Sequence, residues 1–534
     1  MDATAKLTGK PTGEDYTSRP GALIWFFRKS RDRWKQKHRD LKATVKGFKN
    51  QIAAVTKSRE QWRLKAEQAS ERVSALESEV NELRAQAAAS MDKKKTDQGS
   101  GLLKLNPAEQ SVPRGQQYAV TAALWFVSLV LDCGASLRCA AKVFELFGSA
   151  TGQDGIDPDR STGRLWLLRI GLAALLRAKE IADDWVWMVD HSIQIGQCKC
   201  LVILGIRLSN LPEGRPLCHQ DMEPIALVPM TSSTKQTVAV CLENAVAQTG
   251  VPRAILDDHG ADLHGGVEIF RLAHPQTSEF YDIKHKAACL LKAQLEKDPR
   301  WKAYASQLGQ TKFAVQQTPL ACLTPPSQRS KARFMNVGGL VDWGIKTLAL
   351  VDNPSELERL GISAEQMQAK LGWLEEFRAE LAQWSACMGV IERTLDFVRC
   401  RGLTASAGRE LEATLPAAVG GSAGELREQL LGFVTDESSK VRQGERMPGT
   451  TEVLESCFGK LKAVEDGQSK SGFTGLVLSL GAMVSTWTAE SIGEALELCR
   501  VRDVLDWCRK NLGPSVQSQR KQAYGAPQCA TNPG

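Results

Sequence analysis

Residues 185–208 read WVWMVDHSIQIGQCKCLVILGIRL. The run is dense in β-branched, aromatic and leucine residues. Turn signals divide it into WVWMVD, SIQIG and KCLVILGIRL, which predicts three short strands of an antiparallel meander. Downstream, EPIALVPM at 223–230 adds an edge strand, and TKQTVAVCLENAVAQTG is a helix closed by Gly250. PRAILDD at 252–258 reads as a short buried strand, and SEFYDIKHKAACLLKAQL from Ser278 as a strand running into a helix. Strands that come first as a meander and then alternate with helices predict a mixed α/β sheet covered on its faces.

Outward from this core the chain changes character. At 534 residues it exceeds one core and predicts several units. From Trp34 to Leu83, steps of four and three residues meet an apolar seam (Leu41, Val45, Phe48, Ile52 and onward) broken only by His38 and Arg59. KSRDRWKQK from Lys29 returns as KSREQWRLK from Lys57, 28 residues or four heptads later. A coiled coil over 29–90, its seam from Trp34 to Leu83 roughly 75 Å long and joining protomers, is the expectation. A polar linker at 91–106 leads to a helical module at 107–182. There LDCGASLRCAAKVFELF carries a turn, a Ser136 cap and an amphipathic helix in helix-turn-helix rhythm, and Ser161 or Thr162 is placed to cap the next helix. Arg160, Arg164, Arg169 and Arg177 there are candidates to meet DNA phosphates. Residues 183–292 form the first part of the core, 293–447 a helical insertion, 448–513 closing helices, and 514–534 a disordered tail.

Composition adds bounds. The net charge of +7 decides little, but the basic first hundred residues suit a polyanion. Fourteen cysteines without zinc spacing fit reduced thiols in a cytosol. The longest apolar run, Ala119–Leu131, is too short to cross a membrane.

The chemistry lies in the carboxylates. Asp190 ends the first strand and Asp258 the later one, so both emerge on one edge of the sheet. A third acid from a packed helix completes a site for Mg²⁺ or Mn²⁺, which take oxygen ligands. Two such ions activate the attacking oxygen and stabilise the leaving one in phosphodiester chemistry.

The residues at these places resemble those of the DDE transposases and retroviral integrases, with their ribonuclease-H-like core. Asp258-His259-Gly260-Ala261-Asp262-Leu263 is similar to their D-N-G-x-E-F stretch, in which the first Asp is the second catalytic carboxylate. Glu455-Ser456-Cys457-Phe458-Gly459-Lys460-Leu461-Lys462 resembles the E-S-x-F-x-x-L-K helix, whose Glu is the third carboxylate and whose last Lys approaches DNA. Glu455 lies 197 residues beyond Asp258, a gap that resembles the hAT and Mutator-like groups with a helical insertion. Asp282-Ile283-Lys284-His285 fits their C/D-x-x-H motif. The resemblance covers 185–291 and 450–474 and implies catalytic, metal-binding Asp190, Asp258 and Glu455, with two Mg²⁺ or Mn²⁺ ions. Glu452, one turn before Glu455, stays an alternative. Asp257 reads as a supporting or solvated acid, Asp262 as a turn cap, and His191 as a phosphate orienter or a structural hydrogen bond.

Lys284, His285 and Lys286, with Lys292 beside them, make a basic patch for DNA, as do Lys460 and Lys462; Arg329, Lys331 and Arg333 make a second one. His259 and His264, five apart in a loop, make a poor zinc pair by spacing. The resulting expectation is a DNA transposase that cleaves element ends and joins a 3′-hydroxyl to target DNA, oligomeric through its coiled coil and residing in the bacterial cytosol or nucleoid. A transposase-derived DNA-binding regulator without catalysis is the alternative.

Overall fold

The computed structural model describes residues 112–151, 157–193, 198–327, 337–416, 420–465, 473–514 and 516–525, together with 19, 21, 22, 24–39, 42 and 56. It divides into two units, Met1–Lys104 and Leu105–Gly534. In the first, residues 24–39 are helical and leave Trp25, Phe26, Phe27 and Trp34 exposed. The rest of the expected coiled coil, apart from Lys42 and Thr56, and the linker lie outside the described residues, as does the Arg329, Lys331, Arg333 patch.

The second unit opens with α1 (Val120–Leu131), α2 (Leu137–Thr151) and α3 (Arg160–Leu176). Ser136 caps α2 as its sequence predicts, accepting from the Cys139 amide at 3.2 Å. The cap of α3 is a correction: Asp159, not Ser161 or Thr162, accepts from the Thr162 amide at 2.7 Å. A carboxylate directly before the first helical residue, Arg160, accepts from an unpaired helix-start amide and suits the helix dipole. The Asp159 carboxyl accordingly lies below its ordinary range, held there by the Thr162 amide.

Among the described residues the sheet has five strands in the order 3-2-1-4-5: β1 (Trp185–Ile193), β2 (Lys199–Arg207), β3 (Glu223–Met230), β4 (Ala254–Asp257) and β5 (Ser278–Tyr281). The meander is antiparallel, whereas β4 and β5 join parallel to β1 and to each other. α4 (Lys235–Thr249) and α5 (Ala261–Ala273) make the crossovers, and α6 (Ile283–Leu295) follows β5. Among the described residues of 185–208 there are two strands. Asp190, expected to end the first, lies inside β1, where His191, Ser192 and Ile193 stay paired with Leu201, Cys200 and Lys199; residues 194–197 of the second expected run lie outside the described residues.

Alternation assigns the two faces. Trp185, Trp187, Val189 and Ile255 pack with Val238, Leu242, Val267 and Phe270 of α4 and α5. Val186, Met188 and Leu256 instead enter the larger core shared with α1, α3, α6 and the later helices. Parity along each strand therefore decides which side of the sheet an acid faces.

The helical stretch comprises α7 (Pro299–Val315), α8 (Val337–Val351), α9 (Pro354–Arg359), α10 (Ala364–Leu371), α11 (Arg378–Arg401), α12 (Ala407–Thr414) and α13 (Gly421–Ser438). Its centre is aromatic: Trp301 meets Trp384 edge-on at 5.0 Å, and Tyr304 packs between them and Trp373. The chain then returns to the sheet as α14 (Glu452–Glu465), followed by α15 (Ser479–Met483), α16 (Ala489–Leu498) and α17 (Val501–Asn511). Buried Arg169 of α3 ties this end down by donating to the carbonyls of Leu496 and Cys499. Residues 516–525 form a last exposed helix, α18 (Val516–Gly525), where disorder is expected from the sequence. VQSQRKQAY has no internal Pro or Gly to break it. Among the described residues no helix is long and apolar enough to cross a membrane, and every described cysteine is free.

Candidate active site

Parallel pairing sets Val186 beside Ala254, Trp187 beside Ile255 and Met188 beside Leu256. Carried two residues further, that register brings Asp190 level with Asp258, on the face of Met188 and Leu256. The helix α14 packs against β1 on this face and supplies Glu455. The surroundings act on Asp190 together: burial, then the Asp258 charge and more weakly that of Glu455, raise its carboxyl to about 7. Opposing this, the His191 amide donates to Asp190 Oδ1 at 2.6 Å.

A buried carboxylate fixes the other half of the site. Asp282, fully buried, caps α6 by accepting from the Lys284 and His285 amides at 2.6 and 3.2 Å. Its second oxygen accepts from the amide and hydroxyl of Thr451, directly before α14, at 2.7 and 2.5 Å. Burial opposes the charge of Asp282, but His285 and Thr451 outweigh it and hold the carboxyl low.

Neighbouring acids favour the cationic form of His285. Its Nδ1 lies 3.6 Å from Asp282 and its Nε2 3.9 Å from Glu455 Oε1. Burial works against the imidazolium, yet Asp282, Asp258 and Glu455 outweigh it and raise the group to about 9. Lys284 donates to Glu455 Oε2 at 2.5 Å and reaches Glu452 at 3.1 Å, so this lysine of the expected DNA patch is engaged by acids. Glu452 itself is gripped by Arg399 at 2.5 and 2.6 Å. Its charge is thereby satisfied from the side of α11.

The structure thus gathers Asp190, Asp258, Glu455, Lys284 and His285. Other predicted residues lie elsewhere. Lys286 sits over the rings of Tyr281 and Phe433 at 5.9 and 5.4 Å. Lys460 is half-buried near His219, and Lys462 is exposed on α14. Lys292 is exposed and lies 3.8 Å from Glu296. Arg160 and Arg164 line a cleft of about 570 Å³ together with Ser136, Arg138 and Val464, the last near the end of α14. His191 hydrogen-bonds Ser233 at 3.1 Å, and Asp262 pairs with Lys199 at 3.3 Å rather than only capping a turn.

Asp257 is fully buried and faces away from Asp190, toward Glu279 of β5; burial and that neighbouring charge raise its carboxyl well above the usual range. Sequence reasoning missed Glu279 and Arg399. The signal for Glu279 is an acid inside the short apolar strand SEFY, two positions before Tyr281 and hence on its face.

No protein-family model matches this chain, and no curated protein matches it. Among solved structures, the Drosophila P element transposase strand transfer complex is similar over 75% of this chain and 98% of that chain, at 11% identity and a TM-score of 0.31. At that score the likeness carries no argument about fold or function.

Proposed function

We propose that the chain is a DDE-type DNA transposase, a polynucleotidyl transferase that cuts the ends of a mobile element and joins the freed 3′-hydroxyl to target DNA. The observation that carries this reading is the shared face of Asp190, inside β1, and Asp258, directly after the parallel neighbour β4, with Glu455 approaching from α14. The sheet order 3-2-1-4-5 supports the ribonuclease-H-like reading of the core.

The donor set fits divalent cations. Burial and the neighbouring acids push Asp190 toward its neutral form, a strain that Mg²⁺ or Mn²⁺ relieves, and all the donors are hard oxygens. Asp190, Asp258 and Glu455 would hold the two ions. When bound, such ions activate the attacking oxygen and stabilise the leaving one. The protein's own groups position the reaction: Lys284 orients Glu455, and the His285 imidazolium offers positive charge toward a phosphate.

In this reading residues 183–292 and 448–513 form the core, 293–447 the insertion, and 107–182 the DNA-binding module. The cleft lined by Arg138, Arg160 and Arg164 lies at the far end of the helix that carries Glu455, so a DNA backbone can run from one to the other past Lys460 and Lys462. The segment 29–90 joins protomers so that two DNA ends are held together, and the cytosol is the working compartment.

The test is Mg²⁺- or Mn²⁺-dependent cleavage and joining of labelled DNA bearing the element's own ends. Joined product from the wild type and none from Glu455→Gln is the expected result. DNA binding without cleavage by the wild type would instead favour a regulator.

A further inference from the structure

On the face of β4 opposite Asp190 and Asp258, acids and imidazoles converge on a second point. Glu279 is buried, and its Oε1 lies 2.6 Å from His264 Nδ1 and 3.5 Å from His259 Nε2. One ligand atom from each of the three lies within 4.8 Å of the others. In the β4–β5 register Ile255 pairs with Glu279 and Asp257 with Tyr281, so Asp257 and Glu279 are diagonal neighbours on one face. Asp257 is fully buried and its Oδ2 has no hydrogen-bond partner; His259 Nε2, also shielded from solvent, has none either.

Among the described arginines and lysines, Arg271 alone is in ion-pair range of these two acids. Arg271 reaches Glu279 Oε2 only at 3.6 Å. Lys440 donates to the Glu279 carbonyl and spends its charge on Glu437 at 2.8 Å. Two buried carboxylates side by side are unfavourable without a compensating cation or proton.

We propose that His259, His264 and Glu279, with Asp257 behind them, bind one zinc ion at a site separate from the proposed catalytic acids. Imidazole nitrogens select zinc over Mg²⁺, and two histidines with a carboxylate are a recurrent zinc set. Two carboxylates with two neutral imidazoles balance its double charge. The His259 ring is clamped flat on Tyr281 at 4.1 Å, which fixes one ligand. His264 stacks on His259 with 25° between the planes, and its side chain is 38% exposed. It therefore has room to turn its lone pair toward a shared ion. Zinc there ties β4, the start of α5 and β5 together immediately beside Asp258, and so steadies the turn that presents it. The sequence spacing of the two histidines hides the site because Glu279 comes from another strand.

The inference does not rest on catalysis, and its test uses none. The full chain with Asp190→Asn, Asp258→Asn and Glu455→Gln, which removes the other proposed metal-binding acids, is titrated with Co²⁺. The expected result is one equivalent bound with the visible absorption of tetrahedral cobalt, displaced by Zn²⁺, and a Zn²⁺-dependent rise in Tm. His264→Ala in that background is expected to lose both signals, and His264→Cys, which restores a ligand, to regain them. Absence of the cobalt band from the parent, or its undiminished presence in a folded His264→Ala variant, overturns the proposal. Because His264 is a surface residue of α5, circular dichroism of the two variants separates ligand loss from misfolding.

Discussion

Asp282 accepts two hydrogen bonds from Thr451, from its amide at 2.7 Å and from its hydroxyl at 2.5 Å, while its other oxygen caps α6. One buried carboxylate thus joins the start of α6, which carries Lys284 and His285, to the start of α14, which carries Glu455. Asp282→Ala is expected to lower stability by about 3 kcal/mol or more, since it removes a helix cap and strands the Thr451 donors. Thr451→Val, which keeps the shape, is expected to lose about 1–2 kcal/mol. Urea denaturation measures both, and hydrogen exchange should rise first at the opening turn of α14.

Glu452 and Glu455 are separated by their partners. Both reach Lys284, but Glu452 is held besides by Arg399, whereas Glu455 faces His285. Under the transposase reading Glu455→Gln should lower strand joining on the order of 10³-fold, the effect of losing about 4 kcal/mol of charge stabilisation by bound metal. Glu452→Gln should lower Tm through the Arg399 pair and keep cleavage within about tenfold, as positioning groups usually do. A gel assay of both variants at saturating Mn²⁺ decides it; a dead Glu452→Gln beside an active Glu455→Gln reverses the assignment.

The elevation of His285 to about 9 has a defined sign. Its folded value lies above the unfolded value of about 6.5, so protonation favours the fold. In metal-free protein that contribution is fully present below about pH 6.5 and is lost as pH rises through about 9, on the order of 3 kcal/mol in all. Asp282→Asn removes the nearest anion, so the His285 midpoint should fall. Ring-proton NMR titration of the two proteins reads it directly, and an unchanged midpoint would falsify the role given to Asp282.

What the sequence made legible follows from periodicity. The alternation in WVWMVD and PRAILDD is local, and it sets Asp190 and Asp258 in phase because parallel register preserves parity. The length of β1 was hidden because a His-Ser pair resembles a turn until β2 supplies its ladder bonds. Partners far along the chain were equally hidden. Glu279 beneath His264, Arg399 on Glu452 and Thr451 on Asp282 lie 15, 53 and 169 residues apart and obey no local spacing. The D-x-x-H motif pointed to Asp282 and His285 without revealing that the aspartate works mainly as a tie between helices.

The joint between α3 and α15 tests packing against propensity. A Cβ added to Gly171 would sit 1.9 Å from the Leu478 carbonyl oxygen, and one on Gly481 2.4 Å from the Gly171 carbonyl oxygen. Both obstacles are backbone, so no side-chain rotation relieves them. In a free helix Gly→Ala would stabilise by roughly 0.5–1 kcal/mol. Here Gly171→Ala should instead destabilise by about 3 kcal/mol, at the upper end of overpacking effects. Gly493 in α16 is a control, because its added Cβ meets only Val120 at an ordinary 3.6 Å. Gly493→Ala should therefore be neutral or stabilising in the same thermal melts. Equal melting of the Gly171→Ala variant and the wild type would mean that α3 and α15 do not approach this closely.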